Sequence, residues 1–132
     1  MPNQNSIPKA SRPGEYIAIA VFVFPTMEGP GYVFIACDAY SEFAINLGVE
    51  PNDSKESVLK MVRVLLENKD FRKHRDKGFT FVLDHNEEMG MEIEKIIQPF
   101  KGKVLYHPEF QAKIVEPVIT TMSKSFSGKN RN

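Results

Sequence analysis

The side chain best placed for chemistry is Asp84, which comes directly after the apolar segment Phe79–Leu83. A carboxylate at the end of a buried strand lies where open α/β sheets usually bind their ligands. Glu116 follows Val115 further along the chain, at the start of a predicted helix. Both acids also have ordinary structural explanations, because Asp often ends a strand and Glu is favoured in the first turn of a helix. They are candidate site residues whose role depends on what lies beside them.

A second group of candidates is the run of basic residues between Lys69 and Lys77. Lys and Arg side chains clustered in this way can contact phosphate groups. Asp70 and Asp76 reduce the charge of the run, so an ordinary solvated loop is the alternative interpretation. The candidates for nucleic-acid binding are Arg72, Lys73, Arg75 and Lys77.

Histidine and cysteine offer fewer possibilities. His85 could be a metal ligand or a general base, but it also fits an exposed loop position, and His107 before Pro108 is expected to be structural. Cys37 is the single cysteine and lies in an apolar run, so we expect a buried thiol rather than a nucleophile. It cannot form an internal disulfide, which favours an intracellular setting.

The composition limits the classes of function. The chain has 132 residues, enough for one domain with a core of its own. Its 17 basic and 17 acidic residues balance, so any contact with nucleic acid would have to be local. No apolar segment is long enough to cross a bilayer, and the N-terminus lacks the pattern of a signal peptide. We expect a cytoplasmic protein with no membrane partner.

The first half of the chain predicts an antiparallel meander of three strands. Tyr16–Phe24 is uniformly apolar and predicts a strand buried on both faces. Tyr32–Cys37 is the second strand, and Asp38 and Ser41 are expected to form the turn after it, with Asp38 accepting hydrogen bonds from backbone N–H groups. Glu42–Val49 alternates, which predicts a half-buried strand. The residues on its apolar face are Phe43, Ile45, Leu47 and Val49.

The second half predicts helices that alternate with strands. Asp53 with Glu56 resembles a capping box, so a helix should begin there and end near Asn68, followed by a polar loop over Lys69–Gly78. Pro117 is expected in the first turn of the last helix. The remaining predicted elements are a strand at Phe79–Leu83, a helix at Met89–Ile97 stopped by Pro99, a strand at Lys103–Tyr106 and the last helix up to Phe126.

This order of elements predicts an α/β domain. A three-stranded meander followed by two right-handed crossovers gives a mixed five-stranded sheet with helices on both faces. The first and fourth strands should lie side by side and parallel at its centre. Residues 15–126 form the predicted domain, residues 1–14 a flexible N-terminal arm that packs weakly if at all, and residues 127–132 a basic tail.

Three motifs in this order resemble the catalytic core of retroviral-type integrases and related transposases, which has the ribonuclease H-like fold. Tyr32–Phe43 is similar to the family's second strand and its Asp-x-x-Ser turn. Phe79–Glu87 is similar to the strand that ends in Asp-Asn-Gly, and Val115-Glu116 is similar to the family's Val-Glu. The resemblance extends from Glu15 to about Phe126.

The resemblance implies a metal-dependent polynucleotidyl transferase. In this family carboxylates hold two Mg²⁺ or Mn²⁺ ions, which activate the attacking oxygen and stabilise the leaving one. By the match of motifs, Asp84 is the second carboxylate and Glu116 the third. The implied partners are DNA and a second copy of the chain, as a homodimer.

The sequence departs from the family pattern where the first carboxylate is expected. The family's first acid lies on the first strand, level with Ala20–Val23, and this segment has no Asp or Glu. Glu15 lies before the strand and Glu28 after it, and the Gly of the Asp-Asn-Gly motif is also missing. We therefore expect an integrase-core-like domain, associated with DNA integration or nucleic-acid binding, with little or no catalytic activity. The alternative is a catalytically dead structural or dimerisation module.

Overall fold

A computed structural model describes residues 7–84 and 87–129 of the chain. Its sheet has the strand order β3-β2-β1-β4-β5, antiparallel among the first three strands and parallel on the other side of β1. This confirms the predicted mixed sheet, with the first and fourth strands adjacent and parallel. The elements are β1 (Tyr16–Thr26), β2 (Gly29–Asp38), β3 (Ala44–Glu50), α1 (Lys55–Leu66), α2 (Lys69–Arg75), β4 (Phe79–Leu83), α3 (Glu87–Ile97), a short 3₁₀ helix (Gln98–Phe100), β5 (Gly102–Tyr106) and α4 (Pro108–Lys129).

The sheet separates two apolar cores. Side chains of α1 and α3 pack on one face, against Ile17 and Phe81, while α4 packs on the other, against Ala18 and Val82. Successive residues of a strand point to opposite faces, so adjacent residues of β1 and of β4 contribute to different cores. Within the described part of the chain, every helix is too short or too polar to cross a membrane.

The prediction that the first strand is buried on both faces is wrong for its second half. β4 pairs with β1 only over Tyr16–Ala18, and the chain leaves β4 after Leu83. Beyond that point β2 is the strand that pairs with β1 among the described residues, and Val21 and Val23 are 38% and 55% exposed. An apolar segment shows that a strand can be buried but does not show how far its neighbour extends.

The predicted buried face of the third strand is also wrong in part. Ile45 packs against the α1–α3 core, but Phe43 is 74% exposed and Val49 is 56% exposed. Phe43 lies before β3 begins, and a register shift at Ala36 and Cys37 interrupts the pairing of β2 with β3. β3 is an edge strand, so helix packing buries its alternating face only locally.

Two helix boundaries differ from the prediction because other side chains cap them. Ser54, not Asp53, caps α1: its hydroxyl oxygen accepts from the Ser57 backbone N–H at 3.3 Å. Asn68 caps α2 by accepting from two backbone N–H groups, so the segment predicted as a polar loop is a short helix. Phe71 anchors this helix in the core.

The last helix begins earlier than predicted. α4 starts at Pro108, where a proline costs no hydrogen bond, and His107 Nδ1 accepts from the Phe110 backbone N–H at 3.1 Å. Pro117 therefore lies inside the helix and not in its first turn. Glu116 is likewise in the interior of α4, so its position depends on how the whole helix packs.

The N-terminal segment is packed over the part that the structure describes. Ile7 contacts the core on the α4 side, and Arg12 Nη2 donates to the carbonyls of Lys77 and Gly78 at 3.1 and 2.7 Å. Gly14 has φ +79° and donates its N–H to Asp38 Oδ1 at 3.0 Å. Residues 7–14 therefore make specific contacts with the domain through Ile7, Arg12 and Gly14. Residues 1–6 and 130–132 lie outside the described residues, α4 includes 127–129, and the domain boundaries at 15 and 126 stay predictions.

Asp38 holds this segment and the turn after β2 together, as expected of a turn former. Its carboxylate is 3% exposed and accepts from the backbone N–H groups of Gly14, Tyr40 and Ser41.

We predict that Asp38→Ala lowers the free energy of unfolding by about 2–3 kcal/mol, because buried donors lose their acceptor. Urea denaturation measures this. Glu28→Ala, in the exposed turn between β1 and β2, should change stability by less than about 0.5 kcal/mol; equal losses would contradict the assignment.

Cys37 is fully buried, and burial raises the pKa of its thiol to about 12. We predict that the native protein reacts with a disulfide reagent far more slowly than the urea-unfolded chain. An unfolded thiol titrates near 9.0. Between that pH and about 12, only the unfolded chain loses the proton, so the thiol makes folding stability fall as pH rises. Cys37→Ala should lack this contribution; rapid labelling of the native protein at pH 8 would contradict the burial.

Candidate functional site

The candidate site is a cleft at the carboxyl end of β4, with a volume of about 530 Å³. Asp84 enters it from the end of the strand, and Glu116 enters it from α4. α4 is fixed there by Val115 and Ile114, which pack against the sheet. The structure therefore brings together the two acids that the sequence singled out.

The residue beside Asp84 on the neighbouring strand is Ala20. β1 and β4 are parallel, and their last pair is Ala18 with Val82. Extending this register by two residues matches Ala20 with Asp84, and both residues line the cleft. Ala20 also lies on the α4 side of the sheet, as does Val82. A methyl group thus occupies the place from which a carboxylate on β1 would reach towards Asp84 and Glu116.

Asp53 and Gln111 are polar residues of the cleft that were not identified from the sequence. Asp53 lines the cleft from the start of α1, although the sequence assigned it only to the helix cap. Gln111, on α4, is 7% exposed and donates from Nε2 to the Ile19 carbonyl at 3.0 Å. An acid just before a helix and a glutamine among apolar helix residues are weak signals, because both are common where no site exists.

The other acids considered for the missing position lie elsewhere. Glu15 is before β1, where its carboxylate accepts from the Ser11 backbone N–H at 2.6 Å and the Ser11 hydroxyl at 3.0 Å. This backbone hydrogen bond is the main cause that lowers the pKa of Glu15. Glu28 is exposed in the turn at the far end of β1. Neither acid lines the cleft.

The donor set does not fit a centre with two metal ions. Such a centre needs hard oxygen ligands from several elements, including one that both ions share. Among residues 7–84 and 87–129, no three His, Cys, Asp or Glu side chains are grouped so that they could hold a metal ion. His85, the other candidate ligand, lies outside the described residues.

The candidate phosphate-binding residues lie at the opposite end of β4. α2 precedes the strand and Asp84 follows it, so Lys77 and Asp84 are separated by roughly 20 Å of extended chain. Arg75 makes contacts within the fold rather than with solvent. Its Nη1 donates to the Leu66 carbonyl at 2.8 Å, and its guanidinium lies 4.5 Å above the Phe100 ring. Arg72, Lys73 and Lys77 are exposed, with Lys73 Nζ 3.7 Å from Asp70.

Comparison of the sequence with protein-family models gives no match, and no curated protein matches it significantly. The fold matches solved structures. The HTLV-2 integrase catalytic core domain in complex with magnesium aligns in its trimeric form with a TM-score of 0.66 and 9% identity, over 94% of this chain and 78% of the other. Its dimeric form gives 0.60 and 10%, over 86% and 74%.

A longer chain aligns as well. A chain of the simian T-cell lymphotropic virus intasome, solved in complex with PP2A regulatory subunit B56 gamma, has a TM-score of 0.69 and 9% identity. The alignment covers 98% of this chain but 47% of the intasome chain, so this chain spans about half the length of that relative. The domain therefore has the ribonuclease H-like fold of a retroviral integrase catalytic core.

Proposed function

We propose that this chain is an integrase-core-like domain that binds nucleic acid in the setting of DNA integration without performing two-metal phosphoryl transfer. The observation that supports the loss of chemistry is Ala20, which stands beside Asp84 where a third carboxylate would be needed. The integrase and intasome relatives support the nucleic-acid setting.

The chemical reason is the number of oxygen ligands that a pair of metal ions needs. Two divalent ions near one another need a shared carboxylate between them, and a methyl group cannot supply an oxygen ligand. Asp84 and Glu116 alone offer two carboxylates, which suit one Mg²⁺ or Mn²⁺ ion held weakly. The domain is expected to have no divalent-ion-dependent nuclease activity.

The same charges determine where nucleic acid would bind. The cleft is lined by Asp53, Asp84 and Glu116, which repel phosphate groups when no metal ion neutralises them. Contact is proposed instead through the exposed basic residues of and beside α2, at the other end of β4. These residues are Arg72, Lys73 and Lys77. Arg75 is left out because its guanidinium contacts the Leu66 carbonyl and the Phe100 ring.

A second candidate is a structural module that dimerises through helix faces. It is favoured by Val64 on α1 and Met91 on α3, which are 44% and 63% exposed. Sedimentation velocity over a range of protein concentrations separates the candidates: a dimer that Val64→Lys disrupts, with no binding of DNA, supports the module.

We predict that Ala20→Asp creates a metal site. The new carboxylate joins Asp84 and Glu116 on one side of the sheet, so Mn²⁺ should bind at least about tenfold more tightly than to the unmodified protein. Mn²⁺-induced broadening of backbone NMR signals around residues 84 and 112–116 measures this.

The control is Val64→Asp, which adds the same charge on the exposed surface of α1, outside the cleft. It should leave the Mn²⁺ affinity near that of the unmodified protein. The proposal of an inactive domain fails if the unmodified protein already cuts DNA in Mg²⁺ or Mn²⁺ and loses this activity with Asp84→Asn.

We predict weak, salt-dependent binding to a DNA duplex through the end of the sheet near α2. Replacing Arg72, Lys73 and Lys77 together with Glu should remove it, because each phosphate contact contributes through release of counterions. Fluorescence anisotropy at several salt concentrations measures the change. Lys113→Glu, on α4, is the matched control; if it weakens binding as much as the triple variant, the assigned surface is wrong.

A further inference from the structure

We propose that the cleft binds an extended peptide with alternating basic and apolar side chains, which adds as a strand to the open edge of β1. This goes beyond the proposed function and rests on one part of it, namely that no pair of metal ions neutralises the acids of the cleft. The occupant is a protein segment and not a nucleic acid.

The first observation is the open edge itself. The Glu15 carbonyl accepts from the Thr80 N–H of β4 at 2.8 Å, and the Ile19 carbonyl accepts from Gln111 Nε2 at 3.0 Å. Backbone polar groups of alternate residues point to the same side of a strand, so those of Val21 and Val23 also face away from β2. No described strand lies there.

Such an edge is suited to strand addition. Its N–H and C=O groups are a template for an incoming chain, and β1 lacks the usual protection by lysines or inward charges. Proline first interrupts the edge at Pro25, so the free edge runs over Ala20–Val23, about 10 Å of extended chain. Gln111 marks its inner end, because its amide takes the place of a strand partner for Ile19.

The second observation is the difference between the two walls. On the α4 side the added strand would meet the small side chains of Ala20 and Ala112 beside Glu116. On the other side it would meet an apolar wall that includes Val21, Val58 and Met89. Successive side chains of a strand point to opposite faces, so one set would face the acid and the other the apolar wall.

The third observation is charge. The cleft is lined by Asp53, Asp84 and Glu116, and no Lys, Arg or His is among its described lining residues. A cationic segment complements this surface, whereas a phosphate backbone does not. Charge thus favours a basic, alternating peptide over both nucleic acid and the uncharged β1 edge of a second copy.

The probe is a fluorescein-labelled hexapeptide with the repeat Lys-Val, tested by anisotropy and by backbone NMR on the full chain. We expect binding that weakens with added salt, with the largest amide shifts at residues 19–23. A peptide with N-methylated backbone amides on the edge-facing residues should bind about tenfold more weakly, because strand hydrogen bonds are removed while charge is kept.

Variants of the chain then test whether the acidic side chains of the cleft bind the peptide. Glu116→Gln combined with Asp53→Asn should weaken the peptide about tenfold, while Glu109→Gln, an exposed acid of α4 outside the cleft, should not. Because all three replacements keep the size of the side chain, each variant is expected to fold, and its NMR spectrum checks this.

Four outcomes would overturn the proposal. They are equal affinity for a Glu-Val peptide, equal affinity for the N-methylated peptide, amide shifts located away from β1, and displacement of the peptide by a single-stranded oligonucleotide that itself shifts residues 19–23. Self-association that buries the β1 edge would assign it to a second copy instead. The Ala20→Asp and DNA-binding experiments test the proposed function by metal affinity and DNA affinity, so its failure can be told apart from a failure of the peptide proposal.

Discussion

The candidate site exists because two neighbouring strands differ in length. β1 continues to Thr26, whereas β4 pairs with it only as far as Ala18 and ends at Leu83. Helices cover both faces of the sheet, so the space beyond the end of β4 becomes a walled cleft rather than open surface. The acids, the open strand edge and the exposed valines all lie around this one gap.

The position of α4 depends on packing along much of its length. Phe110, Ile114 and Val115 bury one side of the helix in the core, which directs Gln111 to the sheet and Glu116 to the rim of the cleft. Pro117 interrupts one backbone hydrogen bond without ending the helix, since the buried side chains before it already fix the axis. Local capping at His107 and Pro108 thus starts the helix, and tertiary packing carries it past Pro117.

This chain shares the fold of an integrase core, and the chemistry of its cleft depends on individual side chains. The sheet order and the cleft that contains Asp84 and Glu116 belong to the fold, whereas the residue at position 20 of β1 is alanine. With metal ions, a cluster of carboxylates attracts phosphate; without them, the same cluster repels phosphate and attracts cations. The proposed preference of the cleft for a basic peptide follows from this rule.

The element order, the mixed sheet, the lack of an acid on the first strand and the choice of Asp84 and Glu116 as candidate site residues could all be predicted from the sequence. These are properties of local pattern: apolar runs, turn residues and the identity of single side chains. Three other features required the folded chain: Ala20 and Asp84 line the same cleft, Asp53 and Gln111 also line it, and Arg75 makes its contacts inside the fold. Strand register, strand ends and helix packing set those relations. They depend on contacts between residues far apart in the chain, which periodicity along one segment does not encode.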